Sequence, residues 1–308
     1  MFRTRALIVM VGALAMVAAG CGSDDGGGGG TTGGTTGSTG SGGDTVCATN
    51  TTTGDLLADI CERGEIKVST DPAYPPASSL NEETGEYEGF DIDTATEIAK
   101  RLGVEIGWET PSWDLITAGS WNGRWDMSVG SMTPTTPRQE VLYFTPPYYY
   151  TPAVVLVNAD NTTITDVSTD LDGKKIGVCA GCTYEAFLQG NLDIGVPVDY
   201  IIDDPQISGY DTDTTALQDL SLGDGTRLDA VITSLPIAQG YIDAGNPVKI
   251  VGDPVFYEPL AVAFDKSSEL DATSLLEAVS TLVDEMHADG TLSESSEKWF
   301  GLDLTVAA

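Results

Sequence analysis

Positive charge is what this chain has least of. Lysine and arginine together number 14 against 47 aspartates and glutamates, a formal net charge of −33, and His287 is the single histidine. Nucleic acids and anionic lipid surfaces are bound through basic patches, so both are excluded as main partners. A lone histidine leaves no Ser–His or Cys–His catalytic arrangement to propose. Past the first twenty residues no apolar run is long enough to cross a bilayer. Neither a metal nor a cofactor is expected.

The N-terminus is read as processing sequence, not fold. Arg3 and Arg5 form a positive region, and Ala6–Ala19 is uncharged and apolar but short for a span. It ends in "AAGC", which resembles a bacterial lipobox with Cys21 as the lipidated residue, although Ala18 stands where leucine is usual. Residues 1–20 are thus a lipoprotein signal peptide. Residues 21–45, almost all Gly, Ser and Thr, are a flexible tether. The expected location is extracytoplasmic, on the outer face of a bacterial cell membrane or in the periplasm.

Of five cysteines, four remain if Cys21 carries lipid, and pairing is the default in an oxidising compartment. Three connectivities are open. Cys47–Cys61 and Cys179–Cys182 are favoured because each pair is local in sequence. A redox or metal role for the C-x-x-C at Cys179 and Cys182 ranks lower, for want of a second ligand pair.

The rest alternates strands and helices. Ile66 and Val68 alternate with polar residues in a strand opening at Gly64. Ala95, Ile98, Ala99 and Leu102 share a helical face, with Asp91 or Asp93 as the cap and Gly103 as the stop. Val104, Ile106 and Trp108 then mark a strand. Further strands are read at Met127–Val129, Ala153–Val157, Ile176–Val178, Ala230–Ile232, Val248–Val251 and Leu260–Phe264, with helices over Glu185–Leu188 and Thr214–Leu220. Near the end Leu276, Val279, Leu282, Val283 and Met286 form a stripe closed by Gly290, and Thr291 with Glu294 fits a capping box. The pattern implies α/β layers with mostly parallel sheets.

Two segments echo each other. "GRWDMSVGS" and "GTRLDAVITS" share a glycine, an arginine, an aspartate, an apolar strand and a serine, Ser131 or Ser234. Equivalent lobes would set both serines at the carboxyl ends of strands, where α/β sheets bind ligands; chance similarity is the alternative. Among the mature arginines, Arg63 falls in a Cys-Glu-Arg-Gly turn, Arg101 on a helix surface, and Arg124 and Arg227 in loops. Arg138 alone follows a strand end rich in hydroxyls, "GSMTPTTPR". Its rigid fork suits a carboxylate, and a surface salt bridge fits these residues equally well.

Ordered motifs over residues 62–300 break that tie: "GEIKVSTDPAYPP", "GEYEGFDIDTATEIAKRLGV", "SWDLI", "WDMSVGSMTPTTPRQEVLYFTPPYYY", "LDGKKIGVCAGCTYEAF", "LDAVITSLPIA" and "DGTLSESSEKWFG". Together they resemble the amino-acid-binding extracellular solute-binding proteins of ABC importers, the polar amino-acid group. The resemblance implies a periplasmic-binding-protein-like α/β fold of two lobes joined by two hinge strands, residues 46–153 plus 258–308 and residues 154–257, with ligand in the cleft. It implies that Arg138, with the Thr133 N–H, grips a ligand carboxylate. Ser131 and Thr133 accept from its ammonium, and Thr183 closes from the second lobe. Tyr74 and Trp113 wall the side chain, and Asp71 reaches its polar end.

One position departs from the family pattern. The family usually reads Asp-Leu-Pro-Val-Ala where this chain has "SLPIA", so Ser234 replaces the aspartate that pairs with the ammonium. An unreplaced charge-assisted bond is worth about 1.5–3 kcal/mol, roughly ten- to a hundredfold in affinity. Either another carboxylate substitutes, or the ligand is a methylated, cyclic or secondary amine. The expected role is binding, not catalysis: a monomeric lipoprotein capturing a small zwitterion for an ABC permease. It would touch the membrane through its lipid only. The alternatives are a secreted enzyme of the cyclohexadienyl dehydratase type and a receptor subunit presenting ligand to a sensor.

Overall fold

The computed structural model describes residues 45–307. The signal peptide, Cys21 and all but the last residue of the tether lie outside them. Among the described residues no helix is long and apolar enough to cross a membrane.

The chain runs α1 (Val46–Thr49), α2 (Leu56–Arg63), β1 (Glu65–Ser69), β2 (Ala73–Tyr74), β3 (Ser78–Leu80), β4 (Tyr87–Glu88), α3 (Phe90–Leu102), β5 (Glu105–Glu109), α4 (Trp113–Thr117) and β6 (Met127–Met132). It continues with α5 (Thr136–Val141), β7 (Leu142–Phe144), β8 (Tyr149–Asn158), β9 (Lys175–Cys179), α6 (Thr183–Leu188), β10 (Gln206–Tyr210) and α7 (Asp213–Leu220). Last come β11 (Ala230–Ser234), α8 (Leu235–Asp243), β12 (Val248–Asp265), α9 (Thr273–Ala288) and α10 (Thr291–Phe300).

Two parallel triplets carry the architecture. In one, β1 pairs with β5 and β6; in the other, β9 pairs with β10 and β11. The long strands β8 and β12 pair antiparallel with each other and connect the triplets, giving the path β10-β9-β11-β8-β12-β6-β1-β5. Parallel pairing needs a crossover, and each triplet has a helix between its strands. One half buries Ile66, Val68, Met127 and Val129 against Ile98, Leu102, Val279 and Val283, while the other buries Ile176, Val178 and Ile232 against Phe187 and Leu188. A fully buried aliphatic side chain of this size contributes about 1.5–3 kcal/mol.

The echoed segments occupy equivalent places. The Asp126 N–H donates to the Lys67 carbonyl at 2.9 Å, and its carboxylate accepts from the Lys67 N–H at 2.7 Å. Asp229 repeats this on Lys175, with both bonds at 2.8 Å. Each aspartate ties the start of one parallel strand to its neighbour. The similarity is structural, not chance.

Several local expectations are corrected. The strands read at Val248–Val251 and Leu260–Phe264 are one strand, β12, because Gly252–Pro254 is carried through as a shift of register between Val251 and Phe256. The α3 cap is Gly89, not Asp91 or Asp93. Asp91 lies in the first turn and turns inward, while Asp93 accepts from Lys298 at 2.7 Å. Thr291 is the first residue of α10 and bonds back to Asp289 at 2.6 Å, so it forms no capping box; Gly290 holds the cap position in the left-handed region. In α9 it is Leu275 that is buried, with Leu276 half-exposed, since Leu275 lies four residues before Val279. Arg63 ends α2, where it meets Asp59 and Asp126.

Candidate functional site

Parallel strands end on the same side of a sheet, so the loops that follow them converge. Here they line one cleft with Asp71 and Tyr74 after β1, Trp113 after β5, and Ser131, Thr133 and Arg138 at and after β6. The other half contributes Thr183 and Tyr184 after β9, and Asp213 after β10. Glu258, on β12, stands between them. Of the residues singled out in the sequence, Asp71, Tyr74, Trp113, Ser131, Thr133, Arg138 and Thr183 all meet here. Ser234 is buried just behind the lining, with its Oγ 3.0 Å from the Tyr74 hydroxyl.

Arg138 is 7% exposed. Its two terminal nitrogens donate to the Thr133 and Gly181 carbonyls, each at 3.0 Å, and its guanidinium lies 5.0 Å from the centre of the Trp113 ring. Burial lowers its pKa to about 10, opposed by the attraction of Glu258. It stays charged near neutral pH. Gly181 belongs to the loop after β9, so this arginine spans the two halves, and the Trp113 indole donates to the same carbonyl at 3.3 Å.

Ser131 adopts a φ of +53°, in the left-handed region. Its Oγ donates to Asp91 at 2.7 Å and accepts from the Tyr149 hydroxyl at 2.6 Å, while its N–H donates to the Tyr148 hydroxyl at 3.0 Å. That hydroxyl donates in turn to Asp91 at 2.6 Å. The side chain therefore points away from the cleft and anchors the strand end. Burial raises the Asp91 pKa to about 7 despite these bonds.

The Thr133 hydroxyl donates to Glu258 at 2.6 Å. Burial raises the Glu258 pKa, and the hydroxyls of Thr133, Thr183 and Tyr184 pull it back down. Asp71 accepts from the Ala73 N–H at 2.8 Å, and desolvation raises its pKa. Asp213, 4% exposed, is the first residue of α7, and its Oδ1 has no hydrogen-bond partner. Desolvation raises its pKa to about 7. Cys47 bonds to Cys61 and Cys179 to Cys182. The second pair lines the cleft, and with its sulfurs bonded to each other it offers no thiolates to a metal.

The profile of bacterial extracellular solute-binding proteins, family 3, covers residues 66–302. The chain belongs to that family. This family-3 protein is 34% identical over 251 residues to the L-cystine-binding protein TcyJ of Escherichia coli (strain K12), covering 81% of this chain and 88% of that one. Among solved structures, it matches the ancestral amino-acid-binding protein AncCDT-1, a precursor of cyclohexadienyl dehydratase, with a TM-score of 0.68 and 30% identity over 79% of this chain and 99% of that one. It also matches a histidine-bound ABC uptake transporter substrate-binding protein from Streptococcus pneumoniae, with a TM-score of 0.69 and 26% identity over 83% of this chain and all of that one.

Sequence reasoning missed Glu258, Asp213 and Asp91. Asp91 was read as a cap, while Glu258 and Asp213 are two acidic residues among 47 and carry no local signature. The signal for Glu258 is an acid inside the apolar strand "VFYEPLAVAF", where an unpaired charge is costly.

Proposed function

We propose that this chain is the substrate-binding lipoprotein of an amino-acid ABC importer, anchored through Cys21, capturing a small amino acid or derivative and handing it to a permease. The carrying observation is Arg138: a buried, charged fork shared between the two halves of a cleft. A ligand carboxylate would take the place of the Thr133 and Gly181 carbonyls on that fork. Tyr74 and Trp113 would flank the ligand side chain and Asp71 would reach its polar end, with the Thr183 N–H on the carboxylate and the Ser131 carbonyl and Thr133 hydroxyl accepting from the ammonium. The lobes would be residues 46–153 plus 258–308 and residues 154–257, whose limits fall inside β8 and β12. Motion about those strands would favour the closed form when ligand bridges both lobes.

The test is calorimetric titration of the protein with L-histidine, L-arginine, L-cystine and L-glutamine, repeated for Arg138→Ala. At least one of these is expected to bind, and the variant is expected to lose about a hundredfold or more in affinity, the value of two charge-assisted bonds. Binding of none, or unchanged affinity in the variant, would refute the assignment. A second reading, dehydration of a prephenate-like acid, draws on the AncCDT-1 likeness and on a cleft carboxyl with a pKa near 7 suited to general-acid work. Turnover of prephenate by the purified protein would decide for it.

A further inference from the structure

Ser234 leaves the second half of the cleft without the carboxylate that the family pattern puts at that strand end. The acids that line the cleft differ in what they already hold. One oxygen of the half-buried Asp71 accepts from the Ala73 N–H, and Glu258 accepts from the Thr133 hydroxyl with two more hydroxyls close by. Asp211 is exposed. Asp213 is buried, lines the cleft, and has an oxygen with no partner. Thr233, the neighbour of Ser234, lies close enough for its hydroxyl to pull the Asp213 pKa down, and that hydroxyl has no other partner.

Three contacts place Asp213 in the corner where Ser234 stands. The Thr214 hydroxyl donates to the Ala73 carbonyl at 2.8 Å, which pins the first turn of α7 to the loop after β1. Tyr74, in that loop, is hydrogen-bonded to Ser234 and is close enough to Asp213 for its charge to be felt. A carboxylate oxygen of Asp213 lies within 4.8 Å of the Cys179 and Cys182 sulfurs, which close the far side. An unpaired carboxylate in such a place is costly, and a donor cation relieves the cost.

We propose that Asp213 is the residue that receives the ligand's α-ammonium, its carboxylate having taken over from the position held by Ser234. The ligand class is then the ordinary primary α-amino acid, whose ammonium offers three N–H donors, and not a quaternary amine, which offers none. This rests on the amino-acid reading above.

The experiment is calorimetric titration of wild type, Asp213→Asn, and Asp213→Asn combined with Ser234→Asp, against L-histidine, L-arginine, L-cystine, L-glutamine and glycine betaine. Thermal midpoints are recorded for each protein. Asp213→Asn is expected to retain its fold and to lose at least tenfold in affinity for whichever amino acid the wild type binds. The added Ser234→Asp is expected to recover most of that loss, which a merely structural role for Asp213 would not produce. Glycine betaine is expected not to bind. Unchanged affinity in Asp213→Asn, a loss that Ser234→Asp does not recover, or betaine binding tighter than any amino acid overturns the inference while leaving Arg138 as the carboxylate grip. Failure of every amino acid to bind the wild type overturns both.

Discussion

The two halves of the cleft are built alike and furnished differently. In each, a loop follows the central strand (β1 or β9) and a helix follows the outer strand (β5 then α4, β10 then α7). The loop of one half meets the helix start of the other: Trp113 of α4 donates to Gly181, and Thr214 of α7 donates to Ala73. Across the first seam lie an indole and a guanidinium; beside the second lie a carboxylate and a phenol. The same backbone plan thus presents a buried guanidinium on one side and a buried carboxylate on the other. Side chains at equivalent places, not the fold, set the polarity of the cleft.

The echoed aspartates offer the sharpest way to break the likeness. Asp126 is buried and also holds Arg63, whereas Asp229 is half-exposed and is bonded to backbone alone. Asp126→Ala is expected to cost about 2 kcal/mol, because it leaves a backbone N–H without its buried acceptor and removes one of the two carboxylates that Arg63 meets. Asp229→Ala is expected to cost about 1 kcal/mol. Urea denaturation compares them, and equal costs would mean that Arg63 adds nothing.

Titration separates the halves next. Asp91 and Asp213 are both raised to about 7 by burial. A carboxyl whose pKa is higher folded than unfolded contributes stability that is full below about pH 4 and is lost as pH rises through 7. Ligand-free protein should therefore be less stable at pH 8 than at pH 5, by about 3 kcal/mol per group. Asp213→Asn should remove its share of that slope, measured by denaturation at the two pH values. A slope that survives unchanged would refute the buried, unpaired state of Asp213.

The smallest contrast lies in how the two inner loops are braced. The loop after β9 is closed by the Cys179–Cys182 disulfide, and the loop after β1 by the Asp71–Ala73 hydrogen bond. Replacing both Cys179 and Cys182 by Ser should cost about 2 kcal/mol, as expected for so short a closed loop. Asp71→Ala should cost about 1 kcal/mol. Denaturation midpoints under oxidising conditions test both, and a larger loss for Asp71→Ala would reverse the ranking.

Much of this was legible in the sequence, and what was not has a physical cause. Alternation at Ile66 and Val68 and the stripe at Ala95, Ile98, Ala99 and Leu102 mark their strand and helix, because burial periodicity is a local property of the chain. The hydroxyls before Arg138 left a carboxylate fork and a surface salt bridge equally open; the family resemblance pointed to the cleft, and the structure has the side chain buried there. Tertiary structure decided the rest. It ran β12 through Gly252–Pro254, because strand pairing with β8 outweighs local turn propensity. It turned Asp91 inward to two hydroxyls instead of capping α3. It also brought Asp213 beside Thr233 and Tyr74, residues far from it in sequence. Whether a carboxylate is solvated or buried without a partner depends on what other segments pack against it, and no single stretch of sequence contains that information.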